Sequence, residues 1–246
     1  MSQRRIKHMF KQLRDASLKY KLIEDGDRIL AGISGGKDSL TMLYLLTLVQ
    51  KYTPVSFTLY PVMLDMGWGE DHQAIADYCE SLGLKLRVEY THIGRIVFEH
   101  RREKNPCSLC SNLRHGALNR IAKSLGCNKV ALGHHMDDAV HTFFLSMLFE
   151  GRFHVFKPRT YLDRSDITLI RPMVYISEED IAKCAASLKL PARVSACPAS
   201  GQTKRDEVKQ LLDLIEQQFP GARQRFLASL ENAAPDTFWS STPNNN

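Results

Sequence analysis

The chain has no apolar run approaching the roughly 18–20 residues that a membrane span requires. Its first residues, MSQRRIKHMFKQLRD, contain no hydrophobic stretch of the secretion-signal kind. Membrane and secreted classes are therefore disfavoured, and a cytoplasmic protein without a membrane partner is expected. No internal repeat is visible, and no separate module of an RNA-binding type. Disorder is excluded by composition, since 246 residues with 43% hydrophobic and 24% charged content can build a full core. One domain with a modest appendage is expected at this length. The six cysteines are expected to stay reduced in such a chain, which argues against a disulfide framework.

Acidic residues are scarce in two places. Residues 1–21 carry Arg4, Arg5, Lys7, Lys11, Arg14, Lys19 and Lys21 against Asp15 alone, which equals the whole chain's net charge of +6. Residues 101–129 carry Arg101, Arg102, Lys104, Arg114, Arg120, Lys123 and Lys129 against Glu103, a second excess offset elsewhere. Basic surface of this density suits a polyanion and supplies affinity rather than sequence choice. Solvated helix faces are the plainer alternative. The first segment reads as a helical arm with Phe10, Leu13 and Leu18 as anchors.

Between these segments strand-like and helix-like stretches alternate. Strands are expected at 28–34, 57–65, 84–90, 129–133 and 167–171, and helices at 39–50, 71–82, 111–125, 137–149 and 177–188. Residues 151–164 read as irregular and basic. Two further helices are expected at 204–217 and 221–231. Regular alternation with apolar strands predicts an α/β fold, a doubly wound and mostly parallel five-stranded sheet covered on both faces. Residues 22–190 would form this core, 1–21 the arm, 191–239 a cysteine turn and helical extension, and 240–246 a disordered tail. In such sheets ligands bind at the C-terminal strand ends, near a switch in strand order.

The loop after the first strand reads Ser34-Gly35-Gly36-Lys37-Asp38-Ser39. Paired glycines let backbone amides approach an anion, and the following helix N-terminus adds partial positive charge. Lys37 adds a full charge and Ser39 a hydroxyl. A Walker A loop is excluded, because Ala31 stands where its first glycine belongs and Asp38 where Ser or Thr belongs. The string resembles the PP-loop of the ATP pyrophosphatases, which split ATP into AMP and pyrophosphate while adenylating a substrate. That resemblance implies that Ser34–Ser39 grips the pyrophosphate of ATP. It also implies adenosine contacts from Met63 and Asp65 at the second strand's end, and from Gly133 and His134 after the fourth.

Asp137 and Asp138 follow in Gly133-His134-His135-Met136-Asp137-Asp138. Magnesium takes oxygen ligands and often only one or two carboxylates, so this pair is a candidate Mg²⁺ site, with Asp137 the favoured member. Alternatively the two acids merely complement a helix dipole. Arg171, in Ile-Arg-Pro, is a candidate phosphate contact or else a surface arginine.

Cys79, Cys127 and Cys184 lie in apolar-periodic stretches and read as small buried hydrophobes. Cys107-Ser-Leu-Cys110 differs, because it follows a proline and a basic run and leads into a helix. The spacing fits a metal, cluster or redox pair. With one distant cysteine it provides three ligands, whereas structural zinc usually takes four. An Fe–S cluster, a persulfide relay and zinc all stay open at this point.

SGGKDS, PCSLCSNLRHG, ALGHHMDD and LIRPM, in this order, resemble the tRNA 2-thiocytidine synthetase (TtcA-type) branch over residues 20–235. The resemblance implies a [4Fe–4S] cluster on Cys107, Cys110 and Cys197, with one iron lacking a protein ligand. The sequence departs from the bacterial tRNA enzyme in one respect: Ser200 stands where a further cysteine follows the third ligand. The implied activity is ATP-dependent thiolation of tRNA, with O2 of a cytidine at position 32 adenylated and replaced by sulfur. Lys37, Asp137 and Arg171 would neutralise charge during adenylation. A sulfur donor such as a cysteine desulfurase is implied, and a homodimer is compatible with the sequence. Rival readings are a thiolase of another tRNA base or a small molecule, a cluster-free PP-loop synthetase, and a non-catalytic Fe–S or nucleotide sensor.

Overall fold

A computed structural model of the chain describes residues 2–101, 106–194, 196–198 and 203–234. Expectations for Arg102, Glu103, Lys104, Ser200 and the 240–246 tail lie outside the described residues. In chain order the elements are α1 (Ser2–Tyr20), β1 (Arg28–Ile33), α2 (Lys37–Tyr52), β2 (Thr58–Asp65), α3 (Gln73–Ser81), β3 (Arg87–Tyr90) and α4 (Ile93–Arg95). A π-helical turn, Ile96–Arg101, continues α4. Then follow α5 (Pro106–Ser124), β4 (Lys129–Ala131), α6 (Met136–Glu150), β5 (Arg159–Leu162), β6 (Ile167–Ile170), α7 (Glu178–Ser187), α8 (Lys204–Gln218) and α9 (Ala222–Glu231).

The strands form one sheet in the order β3-β2-β1-β4-β6-β5, parallel except for the β5–β6 pair. The doubly wound α/β expectation holds, but the sheet has six strands among the described residues rather than five. The sixth, β5, lies inside the stretch expected to be irregular. It is short and begins with Arg159, and exposed residues alternate with half-buried ones. Such a strand carries little hydrophobic signal and suits a sheet edge, where charge discourages pairing with other chains.

Helices α1, α2 and α7 pack together with one apolar cluster, while Leu118, Ile121 and Ala122 of α5 close a second against β1, β4 and β6. α1 is docked by Met9, Leu13 and Ala16, all fully buried, with Phe10 beside them. These positions fall on one helical stripe. Leu18 was expected to join them but is 73% exposed, because it lies on the other side of the helix from Tyr20. Lys129 was expected on a basic surface. It is buried instead, with its Nζ 2.7 Å from Asp27 and 2.9 Å from Glu24.

Candidate active site

The strand order turns at β1: the chain runs outward through β2 and β3, then returns to place β4 on the other side. At this switch the connections leave β1 and β4 in opposite directions and open a crevice. A cavity of about 600 Å³ lies here. Its walls come from the Ser34–Ser39 loop, the end of β2, the start of α5, the β4–α6 turn and the segment after α7.

The loop is shaped by its glycines. Gly35 adopts φ +82°, and Gly36 caps α2 without a side-chain cap, so the first-turn amides of α2 face outward. Ser39 Oγ accepts from Ser34 N at 3.1 Å and donates to the Gly36 carbonyl at 3.0 Å, so its hydroxyl holds the loop's shape. Lys37 Nζ lies 2.9 Å from Asp38 and 3.3 Å from Glu178 at the start of α7. Burial opposes the charge on Lys37, yet the two carboxylates outweigh it and raise its pKa.

The aspartate pair separates. Asp138 lines the cavity; it accepts from His135 N at 3.1 Å and from Arg205 at 2.9 Å. Burial favours its neutral form, but His135 and Arg205 outweigh burial and hold its pKa below the usual value. Asp137 is turned away. It is 3% exposed, receives the Glu178 N–H at 2.7 Å and pairs with Arg223 of α9. Asp137 thus faces Glu178 N–H and Arg223 rather than the cavity, while Asp138, also engaged by His135 N and Arg205, lines it. Asp38 is the better companion of Asp138, since both reach His135 Nε2, at 3.8 and 3.4 Å.

Strand alternation separates the residues expected to meet adenosine. Leu64 and Met66 line the cavity, whereas Met63 and Asp65, on the other face of β2, are buried behind it. Asp65 instead bonds His72 Nε2 at 2.5 Å and the Gly67 N–H at 2.6 Å. Gly133 and His134 do line the cavity. His134 packs against Phe156 with ring centroids 5.1 Å apart, and burial depresses its pKa, which keeps the ring neutral. Arg171 is neither a surface residue nor a cavity wall. It is 7% exposed, its guanidinium stands 4.8 Å from the Phe156 ring and donates to the Lys157 carbonyl at 2.7 Å, and burial lowers its pKa to about 10.

α5 starts at Pro106, a residue suited to a first helical position, so Cys107 lies in its first turn and Cys110 at the start of its second rather than in a preceding loop. Both line the cavity, as does Cys197 from the far side of the chain. Burial raises the Cys110 pKa, and Cys197 and Cys107 raise it further, so the three thiols feel one another. Three thiolates brought together repel, and a cationic iron cluster relieves that repulsion. The donor set thus fits the cluster, although among the described residues no three His, Cys, Asp or Glu close on a common centre as they stand. Cys79 and Cys127 are buried, with burial pushing each thiol up to about 11, and Cys184 is raised by burial too.

Arg193 escaped the sequence reading, because a lone arginine in Ala-Arg-Val has no pattern. Its N–H bonds the Gly35 carbonyl at 3.0 Å, and its guanidinium bonds the Asp71 carbonyl at 2.6 Å and His72 Nδ1 at 2.8 Å. It therefore lies over the loop, four residues before Cys197. Trp68, Glu70, Phe98 and His115 also line the cavity without having given a signal.

The PP-loop domain family matches residues 1–212. A tRNA-cytidine(32) 2-sulfurtransferase of Pelobacter propionicus is 40% identical over 235 residues, covering 92% of this chain and 87% of that protein. One of Ralstonia pickettii is 42% identical over 219 residues, covering 88% and 70%. The chain belongs to the PP-loop family, among the tRNA-cytidine(32) 2-sulfurtransferases. Among solved structures, the U34-tRNA thiolase of Methanococcus maripaludis with its [4Fe-4S] cluster superposes with TM-score 0.78 at 25% identity, covering 94% of this chain and 79% of that one. An NMN synthetase of Francisella tularensis, TM-score 0.52 at 15% identity over 99% of each chain, shares the PP-loop fold alone.

Proposed function

We propose that the protein is an ATP-dependent tRNA sulfurtransferase that replaces O2 of a cytidine, at position 32, with sulfur and forms AMP and pyrophosphate. The observation that carries this reading is the single cavity shared by the Ser34–Ser39 loop and by Cys107, Cys110 and Cys197. Activation and sulfur delivery act on one carbon, so their two machineries must face the same space. At about 600 Å³ the cavity is of ligand-site size.

The Gly35–Gly36 backbone and the first-turn amides of α2 would receive the pyrophosphate end of ATP. Lys37, within the loop, and Arg193, above it, would bring positive charge to phosphates. Leu64 and Met66 offer an apolar wall for a purine. Asp138 and Asp38 would hold Mg²⁺, which supplies charge neutralisation on the phosphates. Cys107, Cys110 and Cys197 would hold a [4Fe–4S] cluster, which supplies iron with one position open to exogenous sulfur. In the first step cytidine O2 bonds to the α-phosphorus and the α–β bridge breaks, releasing pyrophosphate. In the second, sulfur at the sulfide level bonds to C2 and the C2–O2 bond breaks, releasing AMP. No electrons are gained or lost. Positioning and charge, rather than acid–base chemistry, do most of this work. The sulfur would come from a donor such as a cysteine desulfurase, whose persulfide sulfur a thiol reductant would first bring to the sulfide level with two electrons, the thiol leaving as a disulfide.

Protein prepared without oxygen is expected to carry iron and a visible absorption band, both lost when Cys107, Cys110 and Cys197 are replaced by Ala. AMP formation is expected to require tRNA. Iron-free protein that thiolates tRNA at the full rate contradicts the cluster; AMP release indifferent to tRNA points to a small-molecule substrate.

A further inference from the structure

The last turn of α6 and the segment after it present aromatic side chains to solvent without any catalytic duty. Phe149 is 44% and Phe153 62% exposed, and Phe153 lies nearly parallel to Phe143, 5.6 Å away at 13°. Exposed aromatics weaken solubility unless something covers them. Cations stand around them: Lys204 Nζ lies 4.2 Å from the Phe149 ring centroid, and Arg152, paired with Glu150 at 2.7 Å, adjoins Phe153, with Lys157 and Arg159 further along. This patch adjoins the cavity at both ends. Lys204 follows Thr203, a cavity wall, and precedes Arg205, which grips Asp138. Phe156, a few residues beyond Phe153, packs against His134 of the cavity wall in a tilted contact.

We infer that Phe149 and Phe153, flanked by Arg152 and Lys204, form a stacking platform for unpaired bases of an RNA loop whose neighbouring nucleotide enters the cavity. The inference rests on the tRNA reading above. Exposed rings beside backbone-binding cations are how single-stranded RNA is held, because every base has a face to stack and every nucleotide a phosphate to pair. A protein partner would be expected to bury leucine and phenylalanine away from charge, whereas here a lysine covers the ring.

Binding is measured with the full chain and three RNA probes: a hairpin with an unpaired loop, the same hairpin with an abasic loop, and the stem duplex alone. Phe149→Ala/Phe153→Ala is expected to weaken binding to the first probe about tenfold or more, from the stacking free energy of one or two bases. Its affinity for the other two should match that of wild type. Phe149→Tyr/Phe153→Trp should retain tight binding, which separates stacking from a folding defect. Lys204→Ala should reduce the salt dependence by about one phosphate contact. Unchanged hairpin binding by the double Ala variant overturns the platform, and if that variant instead converts a dimer to a monomer the patch joins two copies of this chain. If wild type binds none of the probes and no whole tRNA, the tRNA reading fails and the platform with it.

Discussion

Two neighbouring aspartates have different tasks because a helix turns about 100° per residue. Asp138 faces the cavity, whereas Asp137 points at α7 and α9. Asp138→Asn is expected to abolish AMP formation with little change in thermal stability. Asp137→Ala should act the opposite way first, costing about 3 kcal/mol, because it strands a buried arginine and an amide. Parallel melting curves and AMP assays on the two variants check this; equal stability losses would show that the assignment is wrong. His141 supplies a pH prediction. It is 4% exposed, its Nε2 has no hydrogen-bond partner among the described residues, and burial lowers its pKa from 6.5 to about 4. The unfolded chain therefore binds a proton at this residue that the folded chain refuses between those values. Its contribution is intact above pH 6.5 and is lost as pH falls to about 4, amounting to about 3 kcal/mol. Denaturant midpoints of wild type and His141→Gln at pH 7 and pH 5 should show a smaller drop in the variant.

At the scale of elements, the cavity depends on how closely the β4–α6 turn approaches the loop after β1. A Cβ on Gly133 would stand 3.1 Å from Ser39 N and 3.2 Å from Ser39 Cα, backbone atoms that cannot swing aside. Gly133→Ala is expected to cost about 1–3 kcal/mol and to weaken ATP binding, measured by calorimetry. An unchanged ATP affinity would mean that the turn does not shape the nucleotide site. Most elements were legible because apolar strands alternate with amphipathic helices; α7, for one, is capped by Ser177, whose hydroxyl accepts the Asp180 N–H at 3.1 Å. β5 was not legible, since four residues with one charged end give no periodic signal. Which residues of β2 face the cavity was not legible for a related reason. A strand's register decides which of Met63 and Leu64 looks inward, and with apolar neighbours on both faces the sequence carries no alternation to read. Arg193 was invisible because only folding brings it over Gly35.

Across the molecule, the two basic excesses have unequal fates. The arm is bound tightly, with Arg5 paired to Asp180 and Lys19 to Glu231, so part of its charge is structural. In the second, Lys129 is internal, while Arg114 reaches the cavity beside Cys110. What the fold achieves is convergence: a loop from residue 34, a helix start from residue 107 and a turn around residue 197 share one cavity. No helix among the described residues is long and apolar enough to cross a membrane. The central claim is that this convergence thiolates cytidine in tRNA, and nucleoside analysis tests it most directly. In tRNA from a strain lacking the gene, 2-thiocytidine should vanish, return with the wild-type chain, and stay absent with the Cys107, Cys110 and Cys197 triple Ala variant. Unchanged 2-thiocytidine in the deletion strain, or its full return with the triple variant, would contradict the account.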